Sequence, residues 1–527
     1  MGWLAVPLMV TLAADGGTPL RWGFDDAGGP PMLHEMPWAG QALDELGFDT
    51  WIMHYLPMDP DLDVHPRYIR EADAWCGEHG IDWVSNLEHA NWMTTFVDER
   101  GRDWFRRDDG RHFHLFPDDI LAELARAENL LGLMYDEPAH MQNSANMISG
   151  ADRPFMLDPE GIALAEASDA FTEAAAEIAR IHERHGIHLY TEHVLPNMLH
   201  NYARAGYTPA PKILKESWSP VMMAIAMGAA LQYERELWVT PDLWGVPGYP
   251  GHSVDEYRSA LLLAYHLGAD CIYTENLAFD HEQRGIGSLI LVTGDGYRIT
   301  EYGQVTRSFR KEYVPSHPRH YRFQDVRPRT AIIRREDGCW GQDVSWLPNT
   351  LFGNPAWPVN DTTRAWQDIW HLLTRDTVDR ETLTWHGTPT ANRPHQVFCP
   401  LDGVIVFDDH VTYDRLEGVE TIFLTGVGVS PQTLLDVQRR VREGATCIAL
   451  PHLAPLSVRA ETGSSGYLEV GEGRWVVTES FLSDQARAAA AGAIPDEDVI
   501  RYRFGQTTVE LRPIGGDPNR LEVDVSG

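Results

Sequence analysis

Tyr135-Asp-Glu-Pro138 is the stretch whose residue types most directly imply chemistry. An apolar run, Leu130 to Met134, ends there in two carboxylates and a proline. Such a run suits a strand buried on both faces. The C-terminal ends of such strands are where a parallel α/β barrel keeps its reacting groups. A carboxyl group in that place can hold, donate or remove a proton. Adjacent strand residues point to opposite faces, so one of the two acids is expected in the pocket. Glu137 is taken as the catalytic acid/base and Asp136 as an orienting residue.

The ends of the other apolar runs repeat the pattern. They carry Asp25 and Asp26, His54, Glu88 and His89, Glu192 and His193, Glu216 and Trp218, Asp242 and Trp244, and Glu275 and Asn276. One buried carboxylate is expensive without a partner, and so many at strand ends read as one polar pocket. Acids interleaved with Trp and Tyr suit a sugar: carboxylates accept hydrogen bonds from paired hydroxyls, and aromatic faces cover pyranose rings. Breaking a glycosidic bond needs two carboxyl groups, an acid and either a nucleophile or a base. Glu275 is the first choice of partner for Glu137, Glu216 the second and Asp242 the third. Asp25, His54, Glu88, His89, Asp136, Glu192, His193, Trp218, Asp242, Trp244 and Asn276 are assigned to substrate binding.

These residues must be positioned by a repeating unit. From Leu20 the chain alternates an apolar run, an amphipathic helix and a glycine. The strands are expected at 20–26, 48–55, 81–89, 130–136, 187–193, 212–218, 237–244 and 271–276. Helices fall between them; Ser253 and Glu256 form a capping box before the last. Eight such units over about 300 residues fit a (β/α)₈ TIM barrel. A doubly wound open sheet is the alternative, but no glycine fingerprint for a dinucleotide follows the first strand. An insertion at 90–117 has the length of a functional loop. The catalytic barrel is expected over 1–317, with a Pro- and Arg-rich linker at 315–328. A smaller α/β domain follows at 328–455, then a small β-rich domain at 456–527.

Composition narrows the partners. The chain has 527 residues, a net charge of −34 and 43 Lys plus Arg, only three of them lysines. This balance excludes a nucleic-acid partner, which needs a basic surface, and disfavours anionic membranes. The five cysteines are scattered without a CxxC, so neither a disulfide framework nor a zinc site is expected. The apolar stretch from Trp3 to Leu12 lacks a basic leader and is too short to span a bilayer, so a cytoplasmic location is expected. No cofactor and no metal are assigned. His54, Glu88, His89, Glu192 and His193 form the set a metal would use if the alternative of a metal-dependent barrel hydrolase or isomerase held.

On these residues and this domain order the chain resembles clan A glycoside hydrolases, and in architecture the family 42 β-galactosidases. Tyr135-Asp-Glu-Pro138 is similar to their strand-four motif, which implies the acid/base role for Glu137. The resemblance also implies a flavodoxin-like (amidotransferase-like) domain over Thr330 to Leu450, a small β domain after Pro455, and a homo-oligomer, dimer or trimer. Two departures stand: Asp136 occupies the usual Asn position, and the strand-seven nucleophile is replaced by Asp242. β-Galactosidase activity is not carried over. The reading is a glycoside hydrolase acting by two carboxylates on a carbohydrate. A non-catalytic sugar-binding barrel is the alternative from another class.

Overall fold

Eight parallel strands close into a barrel in chain order: β1 (Arg21–Asp25), β2 (Thr50–Met53), β3 (Asp82–Asn86), β4 (Leu130–Asp136), β5 (His188–His193), β6 (Thr208–Ile213), β7 (Trp238–Pro241) and β8 (Cys271–Thr274). The structure is a computed structural model and describes residues 19–27, 33–54, 63–88, 115–148, 156–243, 251–279, 287–340, 350–383 and 397–527. Helices cover the barrel: α1 (Ala39–Leu46), α2 (His65–His79), α3 (Asp118–Leu124), α4 (Pro138–Ile148), α5 (Leu164–Glu183), α6 (Leu199–Ala205), α7 (Ser219–Gln232), α8 (Val254–His266) and α9 (Glu301–Ser308). The capping box before α8 is present, with Glu256 N donating to Ser253 Oγ at 3.1 Å. Among the described residues no helix is long and apolar enough to cross a membrane.

Strand alternation fills the barrel. Ile52, Val84, Met134, Tyr190, Ala210, Trp238, Cys271 and Tyr273 form one buried cluster in its interior. Gly132 is required where β4 meets β5. Its φ is +156°, and an added Cβ would lie 2.2 Å from the His188 carbonyl oxygen. The β3–β4 register shifts beside it, a bulge that redirects the strand end.

Strand six is a correction. The sequence reading places it at 212–218, whereas β6 runs Thr208-Pro-Ala-Pro-Lys-Ile213. Prolines argue against a central strand because they lack the N–H of the ladder. Here β6 pairs with β7 only at Lys212 and Ile213, so Pro209 and Pro211 fall before the ladder on that side begins.

Beyond the barrel, a six-stranded sheet runs β14 (Val404–Phe407), β12 (Thr330–Arg334), β15 (Thr421–Thr425), β16 (Thr446–Ala449), β18 (Gly473–Val477) and β17 (Gly466–Val470). Its first five strands are parallel and β17 is antiparallel. A four-stranded sheet joins β13 (Leu401–Asp402), β19 (Ile500–Phe504), β20 (Thr507–Ile514) and β21 (Asp517–Ser526). The sheets do not follow the expected split at 455: β17 and β18 complete the earlier sheet, and β13 joins the later one. The expected linker is packed, with Arg319 buried and donating to the carbonyls of Tyr265 and Ala269. A hairpin of β10 (Ile290–Thr293) and β11 (Gly296–Ile299), with the short β9 (Ala278–Phe279) beside β10, precedes α9.

The second sheet seats on α7. That helix is apolar on every side, as a helix enclosed by protein must be. A Cβ at Gly228 would lie 1.6 Å from the Val406 carbonyl oxygen, so α7 lies directly on the β14 backbone. The loop after β5 joins the end of β12 through Met198 N to Glu336 Oε2 (3.0 Å) and Asn197 Nδ2 to the Gly338 carbonyl (2.9 Å).

Candidate active site

The site lies one inward step beyond the barrel core. Two residues after Ile52, Val84, Met134, Tyr190, Ala210 and Tyr273 come His54, Asn86, Asp136, Glu192, Lys212 and Glu275. A period of two sends them to the same face, so an apolar core turns into a charged layer at the C-terminal ends of the strands.

Lys212 is the hub of that layer. Its Nζ lies 2.9 Å from Glu275 Oε2, 3.4 Å from Asp136 Oδ1, 3.5 Å from Glu192 Oε1 and 3.9 Å from Glu137 Oε1. Burial would favour the neutral amine, but Asp136, Glu192 and Glu275 hold it charged well above the ordinary lysine range. Asn86 Nδ2 donates to Asp136 Oδ2 at 2.8 Å and to Glu192 Oε2 at 3.4 Å. Burial, then Asp136, raises Glu192 well above the carboxylate range.

His54 is the second buried cation. Its Nε2 lies 2.8 Å from Asp25 Oδ2 and 3.9 Å from Asp136 Oδ2, and its Nδ1 3.3 Å from Glu88 Oε2. Burial opposes the charge, but Asp25, then Glu88 and Asp136, raise the imidazole to about 10. The His54 backbone N–H donates to Asp26 Oδ1 at 2.8 Å, and burial pushes Asp26 up to about 7. Glu88 is raised to about 8, by burial first and then by Asp136.

Glu137 reaches the cluster by a different route. The strand ends at Asp136, and Asp136 is the inward residue, so alternation alone would turn Glu137 away. Glu137 instead has φ +47°, a left-handed conformation uncommon outside glycine and stored at functional sites. Its N–H donates to the Glu192 carbonyl at 2.9 Å. Its Oε2 lies 2.8 Å from His140 Nδ1, one turn on along α4. Burial would raise Glu137, but His140, then Lys212 and Lys215, bring it below the carboxylate range. Its side chain is 13 % exposed, Glu88 21 % and Glu275 5 %, whereas Asp25, Asp136, Glu192 and Asp242 are closed off at 0 %. Among the described carboxylates of this layer these three keep contact with solvent, Glu275 least of all.

A second group borders the first. Lys215 Nζ lies 3.0 Å from Asp242 Oδ2, and Asp242 bridges Glu275 in the β7–β8 register. Glu216 is buried beyond the end of β6 and acts on Lys215 and His252. Burial lowers His252 to about 4. The shift of β6 therefore moves Glu216 out of the strand-end layer and places Lys212 in it.

Three further sequence assignments are corrected. His193 follows inward Glu192 and faces outward, against Tyr202, with its ring Nε2 3.0 Å from Thr191 Oγ1; burial lowers it to about 3. Trp218 is buried where the barrel meets the second sheet's region, donating Nε1–H to the Thr382 carbonyl at 2.9 Å. Asn276 is buried in a left-handed conformation and its carbonyl accepts from Leu289 N at 3.1 Å. His89, Trp244 and the insertion up to residue 114 lie outside the described residues. Sequence reasoning missed Asn86, His140, Lys212 and Lys215. The scarcity of lysine was the signal for two of them.

His54, Glu88 and Asp136 bring one ligand atom each within 4.8 Å of one another. These are donors a divalent cation accepts. Binding one there would first have to remove the proton that Asp25 holds on His54.

No family model matches this chain, and no curated protein matches it. Among solved structures, the exo-β-1,4-mannosidase Op5Man5 from Opitutaceae bacterium strain TAV5 is similar over 93 % of this chain and 99 % of its own, with a TM-score of 0.50 and 14 % identity. A GH5_18 protein from Streptomyces cattleya aligns over 74 % of this chain and 99 % of its own, with a TM-score of 0.41 and 16 % identity. One from Bifidobacterium longum aligns over 77 % and 96 %, with a TM-score of 0.46 and 12 % identity. The likeness to Op5Man5 is one of fold.

Proposed function

We propose that the chain is a glycoside hydrolase whose two working carboxylates are Glu137 and Glu275. The observation that carries this reading is their convergence on one ammonium, Lys212, at the C-terminal face of the barrel, with 13 % of the Glu137 side chain and 5 % of the Glu275 side chain still in contact with solvent. Two carboxyl groups so placed can act on opposite sides of one glycosidic bond. The proton for the leaving oxygen comes from the hydrogen-bonded Glu137–His140 pair, because the carboxyl of Glu137 by itself is held ionised. Glu275 either attacks the anomeric carbon or takes a proton from the attacking water. Glu216, enclosed with Lys215 and His252, is the weaker partner. The five parallel strands of the second sheet, in the order 2-1-3-4-5 along the chain, support reading it as a flavodoxin-like domain.

The test is hydrolysis of a panel of aryl glycosides. A β-mannoside belongs in it because Op5Man5, which shares the barrel, is named for that activity. Glu137→Gln and Glu275→Gln are expected to lose at least about 100-fold in rate, and Glu216→Gln far less. Full rate in folded Glu137→Gln would sink the reading. Sugar binding without turnover in the wild type would instead make this a binding protein.

A second reading has its own observation, the approach of His54, Glu88 and Asp136. It makes the chain a metal-dependent barrel hydrolase or isomerase. Loss of turnover in a chelator, restored by a divalent ion, would favour it.

A further inference from the structure

Lysine is nearly absent from this chain, with three among 43 basic residues. Two of the three, Lys212 and Lys215, are buried at the mouth of the barrel. A sequence that otherwise uses arginine has kept an ammonium where a compact, tetrahedral point charge is needed. An arginine fork would bring five N–H groups in a plane. The surroundings of Lys212 are not planar: carboxylates reach it from β4 (Asp136 and Glu137), β5 (Glu192) and β8 (Glu275).

Three N–H bonds face four carboxylates. The three shortest approaches, at 2.9, 3.4 and 3.5 Å, belong to Glu275, Asp136 and Glu192. Glu137, at 3.9 Å, is left to His140 at 2.8 Å. Glu275 therefore has the lysine as its close partner, and Glu137 has its own histidine within the lysine's field.

We propose that Lys212 is the positioning residue of the carboxylate pair: its ammonium holds Glu275 across the barrel from β4, within reach of Glu137, and sets the charge both acids experience. This rests on the two-carboxylate reading. The charged groups facing the pair are Asp136 and His140 from the β4 side, Glu88 and His54 from β3 and β2, Glu192 from β5, Lys215 beyond β6, and Asp242 from β7. Removing the lysine charge raises the pKa of the ionised carboxylates near it, so the acid limb of the rate profile must move to higher pH.

The experiment uses the full chain with ¹⁵N-labelled lysine. Only three ammonium signals can appear, and Lys212→Arg identifies that of Lys212. The expected signal titrates above the ordinary lysine range and moves in Glu275→Gln. In parallel, pH–rate profiles are measured on whichever 4-nitrophenyl glycoside the wild type cleaves. Lys212→Met is expected to lose 10- to 100-fold in kcat with less change in KM and to shift its acid limb upward. An ammonium signal unmoved by Glu275→Gln overturns the proposal, as does the wild-type pH profile in Lys212→Met. If Lys212→Met does not fold, the signal in the Glu→Gln variants still decides. Full rate in Glu137→Gln would sink the two-carboxylate reading instead, and the lysine signal does not depend on it.

Discussion

Raising the pH should weaken this protein through one buried imidazole. His54 is fully enclosed, 2.8 Å from Asp25 and 3.3 Å from Glu88. Its pKa is about 10 in the fold against an ordinary 6.5. A histidine raised in this way stabilises the fold fully below pH 6.5, and the contribution disappears as pH rises through the folded value. At 1.36 kcal/mol per pH unit, the interval from 6.5 to 10 corresponds to about 5 kcal/mol. Asp26 and Glu88, raised to about 7 and about 8, act in the same direction but earlier, as pH rises from the ordinary carboxylate range. His54→Gln removes the histidine's share; it also removes the charge that lowers Asp26 and Glu88, so their share grows and offsets part of the difference. Denaturant unfolding followed by tryptophan fluorescence at pH 6.5 and 9.5 would measure it. The wild type should exceed His54→Gln by several kcal/mol more at pH 6.5 than at 9.5. Stability curves that run parallel across this interval would show that His54 is not held as a cation, and the charge assignment of the inner layer would fail with it.

Gly228→Ala should strip the barrel from the second sheet, because its Cβ would lie 1.6 Å from a β14 carbonyl; overpacking of about 1–3 kcal/mol should appear as a lower Tm. Trp218→Phe should lose about 1 kcal/mol with its bond to Thr382 and leave KM unchanged in steady-state assays, since Trp218 serves the domain contact. His140→Asn should raise the pKa of Glu137, which His140 helps hold below the carboxylate range. A ¹³C-carboxyl NMR titration of Glu137 should then show it gaining its proton at higher pH.

The barrel was legible in the chain because its signal is local. Most strands are apolar runs, helices α1, α2 and α6 close on a left-handed glycine, and the capping box of Ser253 and Glu256 sits where its spacing places it. The ring of strand-end acids was legible too, since period-two alternation carries Asp25, His54, Asp136, Glu192 and Glu275 to one face. Alternation separates inward Glu192 from outward His193, a distinction that assigning both to substrate binding did not draw. It failed for Glu137, whose left-handed backbone belongs to the turn after the strand.

Other features depended on contacts between distant segments. Pro209 and Pro211 hid β6, because only the late start of its pairing with β7 makes them tolerable. Trp218 reads as a sugar platform until the region of Thr382 covers it. The sharing of Lys212 among β4, β5 and β8 appears in no window of sequence. Residue type and spacing by themselves determined that acids gather at one end of an eight-stranded barrel. Tertiary structure alone decided which acids meet a cation and which keep contact with solvent, because those properties arise only when strands far apart in the chain close into a ring.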